Sequence, residues 1–281
     1  MFVVSTKQEL QLLLQQQKNI GKTIGFVPTM GALHNGHLSL ITKAKEICSI
    51  VVSSIFVNPT QFNNPEDLLK YPRTIEKDTE MLASVGCDIL FCPEVNELYP
   101  SKCELKFDFG ALETVLEGAF RPGHFNGVGL VVSKLFNIVQ PHHAFFGQKD
   151  LQQFLIINRL VNDLSFPITL HCCDIVREND GLAMSSRNVR LGADERKLAP
   201  KIYESLQLAQ SLAQSKHSLK DIYDKIDLFY SNTAIKLEYF KFVSTDDLSE
   251  LSTINPNEKV AICVACYIDE VRLIDNIIFN V

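Results

Sequence analysis

The chain has 281 residues, 46% hydrophobic and 21% charged, enough apolar material for a substantial core in one large domain or two modest ones. A net charge of −6 with no dense Lys/Arg cluster argues against a nucleic-acid partner. No run of about 18 uninterrupted apolar residues occurs, so no membrane span is expected. The start, Met1 to Thr6, lacks the basic and apolar regions of a secretory signal, making the cytoplasm the expected compartment.

In chain order, Thr6-x-x-Glu9 is a capping box, and Leu10, Leu13 and Leu14 supply a helical stripe over 5–19. A strand over 23–27 is expected to end at Pro28. A helix over 38–48 follows, with Leu38, Ile41, Ala44 and Cys48 on one face. Residues 50–57 form a β-branched apolar run, as in a strand buried on both faces. A polar loop with Pro59 and Pro65 leads to a helix over 74–85 and a strand over 89–92. The alternation continues with a helix over 127–139, a strand at 144–146, a helix over 150–164 and a strand over 168–172. Alternating β and α elements predict an α/β fold with a doubly wound, Rossmann-like parallel sheet.

After about residue 175 the pattern changes. Helical stretches over 193–214 and 219–232 precede strands over 237–243, 259–268 and 271–279, which predicts a smaller α+β unit. The expected domains are therefore 1–175, holding nucleotide and substrate, and 176–281. The eight cysteines include Cys263-Val-Ala-Cys266, a metal or redox spacing. It has no companion pair and sits in a strand-like apolar run, so buried, reduced thiols are expected.

Four segments carry chemistry. Residues 26–38, FVPTMGALHNGHL, run from a strand end through Gly31 and place His34-x-x-His37 at a helix start. Glycines let backbone approach a ligand, helix N-termini favour anions, and two imidazoles there are suited to developing phosphate charge. The same pair also reads as two zinc ligands or as polar loop histidines. Residues 180–188, DGLAMSSRN, offer Ser185, Ser186 and the guanidinium fork of Arg187, or simply a turn before the next helix. In FFGQKDLQQ (145–153), Gly147 follows a strand, Lys149 offers charge for phosphate, and Asp150 is placed to accept from a ribose or to cap a helix. Asn58-Pro-Thr-Gln-Phe62 follows the buried strand, where doubly wound folds bind ligands.

Together these blocks resemble the pantothenate synthetase (pantoate–β-alanine ligase) family. The matching segments are FVPTMGALHNGH, IFVNPTQF (55–62), DLLKYPRT (67–74), RPGHFNGV (121–128), KLFNIVQP (134–141), FGQKD (146–150) and VREND-GLAMSSRN (176–188). They fall in order over about the first 190 residues; the last third adds little. The resemblance implies condensation of pantoate with β-alanine using ATP, releasing AMP and pyrophosphate through a pantoyl-adenylate. It assigns His34, His37, Lys149, Ser185 and Arg187 to the phosphates. Gly147, Asp150, Val176, Met184 and Ser186 fall to the rest of ATP. Met30 falls to the reacting centre, and Asn58, Gln61 and Gln153 to pantoate. Asp78 matches a position associated with Mg2+, and a homodimer is the family expectation.

The chain departs from the family pattern at Gln148 (usually Glu), Leu151 (usually Tyr), Leu130 (usually Thr) and Lys77 (often acidic). Near Cys173-Asp174 the family usually has Val-Pro. No residue need be a nucleophile in such a reaction; alignment and charge stabilisation carry it. A reactive anhydride must be kept from water, which makes residues 63–74 a lid candidate. Two rival readings share the motifs: a nucleotidylyltransferase that keeps the nucleotide on its product, and a nucleotide-sensing module without turnover.

Overall fold

Ile24, Phe26, Ile50, Val52, Phe91 and Phe146 pack into one apolar cluster, while Val27, Val51, Leu90 and Phe145 pack into another. Side chains alternate across a strand, so these are the two faces of one sheet. The computed structural model describes residues 1–63 and 65–281. The sheet's strands are β1 (Phe2–Val4), β2 (Ile24–Thr29), β3 (Ile50–Ile55), β4 (Ile89–Phe91), β5 (His143–Gly147) and β6 (Thr169–Cys173). They lie in the order β1-β4-β3-β2-β5-β6, every neighbouring pair parallel.

The accompanying helices are α1 (Lys7–Asn19), α2 (Asn35–Ile47), α3 (Pro65–Lys70), α4 (Ile75–Ser84), α5 (Val95–Leu98), α6 (Leu116–Phe120), α7 (His124–Val139) and α8 (Leu151–Asp163). Leu10 and Leu14 of α1, the apolar side of α7, and Ile156, Ile157 and Leu160 of α8 join the first face. Leu40, Ile41 and Ala44 of α2 with Leu82 of α4 cover the second. The doubly wound parallel sheet expected from the sequence is thus present. From β2 the chain steps through β3 to β4 on one side, then returns as β5 on β2's other side. Loops after β2 and β5 therefore diverge, and such a switch opens a crevice at the strands' carboxyl ends. Asn64, inside the lid candidate, lies outside the described residues.

The second unit comprises Lys149–Leu151 and Ile175–Val281; the first comprises Met1–Gln148 and Gln152–Asp174. In the second, α9 (Ala193–Leu198), α10 (Lys201–Gln214) and α11 (Leu219–Ser231) precede β7 (Ile235–Ser244), β8 (Lys259–Ile268) and β9 (Val271–Asn280). The three strands form an antiparallel sheet with β8 in the middle. Among the described residues, no helix is long and apolar enough to cross a membrane.

Some boundaries differ from expectation. The Thr6–Glu9 capping box starts α1 as read from sequence. Strand β2, however, continues through Pro28 to Thr29, with Pro28 opposite Ser54. The carbonyls of Thr23 and Thr29 accept from the amides of Ile50 and of Phe56, just past β3, so odd-numbered residues face β3 and Pro28 faces β5. The β2–β5 ladder ends at Phe26, so no ladder bond asks Pro28 for the N–H it lacks. The helical stretch over 193–214 is two helices, divided at Pro200 for the same reason. Edge strand β1 and the short helices α3, α5 and α6 were not anticipated; each is too brief to show a period.

Cys263 and Cys266 are both buried on β8. Three positions apart on a strand, they point to opposite sheet faces, so one ion does not reach both. Burial pushes the Cys266 thiol from its ordinary 9.0 up to about 12, and Cys87 and Cys92 to about 11. The folded state then keeps a proton on Cys266 that the unfolded chain releases above pH 9. Stability is fully present below that pH and is lost towards 12, by up to about 1.4 kcal/mol per pH unit. Urea melts from pH 8 to 10.5 should show this decline, and Cys266→Ala should make it shallower. An unchanged slope in that variant would refute the assignment.

Candidate active site

Strand β2 delivers Met30 at its carboxyl end, and the turn to α2 then reverses through two residues of positive φ, Gly31 (81°) and Ala32 (50°). His34 is the N-cap of α2 in extended conformation, and its carbonyl accepts from the N–H groups of His37 and Leu38. The His34 N–H donates to His37 Nδ1 at 3.3 Å, the half of a capping box usually filled by Glu or Gln. An imidazole whose Nδ1 accepts carries its proton on Nε2 when neutral, so His37 presents an Nε2–H donor. The two rings lie 4.0 Å apart between centroids, both half-buried. A helix N-terminus bearing two imidazoles favours an anion.

Asp78, on α4, is 1% exposed. Its Oδ2 accepts from the Ala32 N–H at 2.8 Å and its Oδ1 from the Leu33 N–H at 2.8 Å and the Thr74 hydroxyl at 3.1 Å. This does not fit the metal-binding role expected of Asp78. A magnesium ion needs exposed oxygens and keeps several waters, whereas here both oxygens are buried and taken by the turn. Among the described residues no group of three His, Cys, Asp or Glu side chains is arranged to hold an ion.

After β3, the turn Pro59–Gln61 places Gln61, 7% exposed, with its Nε2 donating to Met30 Sδ at 3.1 Å. Asn58 is 1% exposed, and its amide hydrogens go to Gln61 Oε1 (3.0 Å) and the Gly127 carbonyl (3.1 Å). Its Oδ1 accepts from the Tyr99 and Thr60 hydroxyls, both at 3.0 Å. Asn58, expected at pantoate, has its amide engaged here in holding Gln61. His124 Nδ1 bonds the Gln61 carbonyl at 2.8 Å. A Cβ on Gly127 would lie 2.3 Å from the Thr60 carbonyl oxygen, so only glycine lets α7 pack this closely. Tyr99, His124 and Gly127 are not legible as supports in the sequence because these partners lie 41 or more positions away; only the RPGHFNGV block contains two of them.

The adjacent glutamines on α8 divide their work. Gln152 is buried, bonding the Leu112 and Val115 carbonyls and the Glu117 N–H. Gln153 is half-buried in the first turn. Gly147 ends β5, and a Cβ there would meet nothing within 4 Å.

In the second unit, residues 176–184 form a short hairpin: the Met184 N–H bonds the Val176 carbonyl at 3.0 Å and the Glu178 N–H bonds the Leu182 carbonyl at 2.8 Å. Ser185 Oγ accepts from the Arg187 N–H at 3.2 Å, and Met184, Ser185, Ser186 and Arg187 are half-buried. Arg177 braces the hairpin. It forms a two-pronged ion pair with Asp275 at 2.6 and 3.0 Å, donates to the Gly181 carbonyl at 3.0 Å and lies 3.7 Å over the Tyr203 ring. The neighbouring Asn276 amide donates to the Lys149 carbonyl at 3.0 Å, fixing backbone at the expected phosphate lysine. Asp150 is exposed. Val176, Met184, Ser185, Ser186 and Arg187 are thus gathered on one hairpin and the turn that follows it. Met30, His34, His37 and Gln61 gather in the first unit.

A parallel doubly wound sheet with a helix-opening histidine pair at its carboxyl end is the frame of an α/β nucleotide-type fold, and a smaller antiparallel unit follows it in the chain. The family model described as pantoate-beta-alanine ligase matches residues 2–278. A pantothenate synthetase of Cytophaga hutchinsonii is 46% identical over 280 residues, covering 99% of each chain. The crystal structure of pantothenate synthetase from Thermus thermophilus is similar at a TM-score of 0.92 and 41% identity, covering 99% of both chains. A Francisella tularensis pantoate-beta-alanine ligase, complexed with beta-gamma ATP and beta-alanine, is similar at a TM-score of 0.83 and 38% identity, covering 99% of this chain and 97% of its own. The chain belongs to the pantoate–β-alanine ligase family, as the sequence resemblance implied.

The Arg177–Asp275 pair yields a stability test. Asp275 is 4% exposed; burial pushes its carboxyl up and Arg177 opposes the shift. Asp275→Ala leaves a half-buried guanidinium without its carboxylate, so urea unfolding should show a loss of up to about 3 kcal/mol, the low end for a buried pair. Arg177→Lys, which keeps the charge and loses the fork, should lose less. Equal losses would mean that the fork geometry is immaterial.

Proposed function

We propose that this chain condenses pantoate with β-alanine at the expense of ATP, releasing AMP and pyrophosphate through an enzyme-bound pantoyl-adenylate. The observation that carries the reading is the His34–His37 pair at the start of α2, its rings 4.0 Å apart and tied by the His34 N–H to His37 Nδ1 bond. The Francisella relative, complexed with an ATP ligand and β-alanine, supports the choice of substrates.

In this reading the pantoate carboxylate attacks the α-phosphorus and pyrophosphate departs. The β-alanine amine then attacks the mixed anhydride, AMP leaves, and the amine's proton passes to solvent. His34 and His37 of the first unit, and Lys149, Ser185 and Arg187 of the second, act on the phosphates, stabilising charge that grows in the transition state. Gly147, Asp150, Val176, Met184 and Ser186 serve the rest of ATP. Met30, Gln61 and Gln153 serve pantoate: a Gln amide is both donor and acceptor, matching a ligand with hydroxyls and a carboxylate. Magnesium enters with the nucleotide rather than on Asp78, and no step is assigned to it. A homodimer in the cytoplasm completes the proposal.

The test is pyrophosphate release with and without each acid. Release should require pantoate, with AMP and pantothenate accumulating only when β-alanine is added. A product that retains the nucleotide would favour a nucleotidylyltransferase instead, and nucleotide binding without pyrophosphate release would favour a sensing module. In single turnovers, His37→Ala and Lys149→Ala should each slow adenylate formation by about 10²–10³ while thermal melts stay close to wild type. Preformed pantoyl-adenylate should still react with β-alanine in both variants. Near-normal adenylate formation in folded variants would remove these residues from the mechanism.

A further inference from the structure

The turn from Gly31 to His34 exposes four consecutive backbone N–H groups, and each has a partner. Gly31 donates to Thr29 Oγ1 at 3.2 Å, Ala32 and Leu33 to the two oxygens of Asp78 at 2.8 Å each, and His34 to His37 Nδ1 at 3.3 Å. The two central donors are thus held by one buried carboxylate from α4, itself steadied by the Thr74 hydroxyl. That carboxylate stands where the backbone is least comfortable. Ala32 has a φ of 50° without being glycine, a conformation that persists only where surroundings over-determine it. At Gly31 a Cβ would lie 3.1 Å from Asp78 Oδ2 and 3.0 Å from Ile55 Cγ2, so the turn is pressed against both.

We propose that Asp78 is a positioning residue of the adenylation step: its carboxylate grips the Ala32 and Leu33 amides and thereby sets where His34 and His37 present their imidazoles. It acts through the histidines and not as a ligand of a divalent ion. The inference rests on the functional reading above, which makes the histidines the groups that act on phosphate. The chemistry favours a carboxylate here, because only an anion with two acceptor oxygens serves two adjacent amides with charge-assisted bonds. Asparagine has the same shape but brings a donor to one of those amides, so the turn must shift. Displacement of a catalytic group by about 1 Å typically costs about 10²-fold in rate.

The test uses the full chain and four proteins: wild type, Asp78→Asn, His37→Ala and the double variant. Single-turnover pantoyl-adenylate formation is followed across a Mg2+ titration, beside thermal melts. Asp78→Asn should slow adenylate formation by about 10² with the Mg2+ half-saturation unchanged and KM for pantoate little altered. In the His37→Ala background the same substitution should add less than its full effect, since the part that passes through His37 is already removed and only the His34 part remains. Nitrogen NMR of the imidazoles in the ligand-free enzyme supplies a readout independent of turnover. It should find the His37 proton on Nε2 in wild type and a mixed tautomer population in Asp78→Asn.

A rise of tenfold or more in the Mg2+ needed, with the rate restored at high Mg2+, would overturn the proposal in favour of a metal ligand. A full, additive loss in the His37→Ala background would also overturn it, leaving a general structural role, as would an unimpaired Asp78→Asn enzyme. Should Asp78→Asn not fold, Thr74→Val carries the test by removing only the donor that steadies Oδ1. It should give a smaller rate loss with the same Mg2+ independence and the same non-additivity, and additivity there would refute the proposal. A wild-type enzyme that forms no adenylate overturns the functional reading itself, whereas an active wild type with an indifferent Asp78 overturns only this inference.

Discussion

A backbone that turns sharply between a central strand and a helix must find partners for every amide hydrogen it strips from water, and at the end of β2 this constraint organises much of the first unit. On the proposed function the helix needs its N-terminus open toward a ligand, so its first donors are not to be consumed by a side-chain cap. The solution moves the satisfaction of Ala32 and Leu33 to a carboxylate on α4 and that of His34 to the ring of His37. The α2 N-terminus stays available for an anion while the turn before it is tied. The packing of α4 on the same sheet face as α2 brings Asp78 within reach of those amides.

The same arrangement recurs beside β3. Asn58 commits its whole amide to Gln61, Gly127, Thr60 and Tyr99, and His124 holds the Gln61 carbonyl. Gln61 is thereby left with one orientation, its Nε2 beside Met30. A group held in one rotamer by buried partners loses little entropy on binding. In the second unit, the buried Arg177–Asp275 pair does for the hairpin what Asp78 does for the turn. A rigid guanidinium fork reaches Asp275, Gly181 and the Tyr203 face at once. The pair thereby ties the hairpin that leads into Ser185, Ser186 and Arg187 to β9.

Residues proposed to act on ligands and residues that hold them in place were unequally visible. His34-x-x-His37, Gln61 and the Ser185–Arg187 run stood out because they occupy short, contiguous blocks at strand and helix ends. Asp78 stood out too, but as a metal position, because a lone carboxylate in sequence does not disclose whether its oxygens will face solvent or, as here, backbone amides. Asn58 and Gln152 show the same ambiguity for amides. Beside each stands a glutamine that is less buried or less committed, and nothing local tells a binding amide from a bracing one.

The sequence by itself determined the alternating β/α order, the start of α1 at its capping box, the change of character near residue 175 and membership of the pantoate–β-alanine ligase family. All of these depend on periodicity, caps and short motifs read within a few residues of one another. Only the tertiary structure decided the strand order with β5 beside β2, the continuation of β2 through Pro28, the bracing roles of Asp78, Asn58 and Arg177, and the grouping of Lys149 with the second unit. Each of these depends on partners tens of residues apart in the chain. Which oxygen meets which amide is set by the packing of whole helices on the sheet, and no local pattern encodes that.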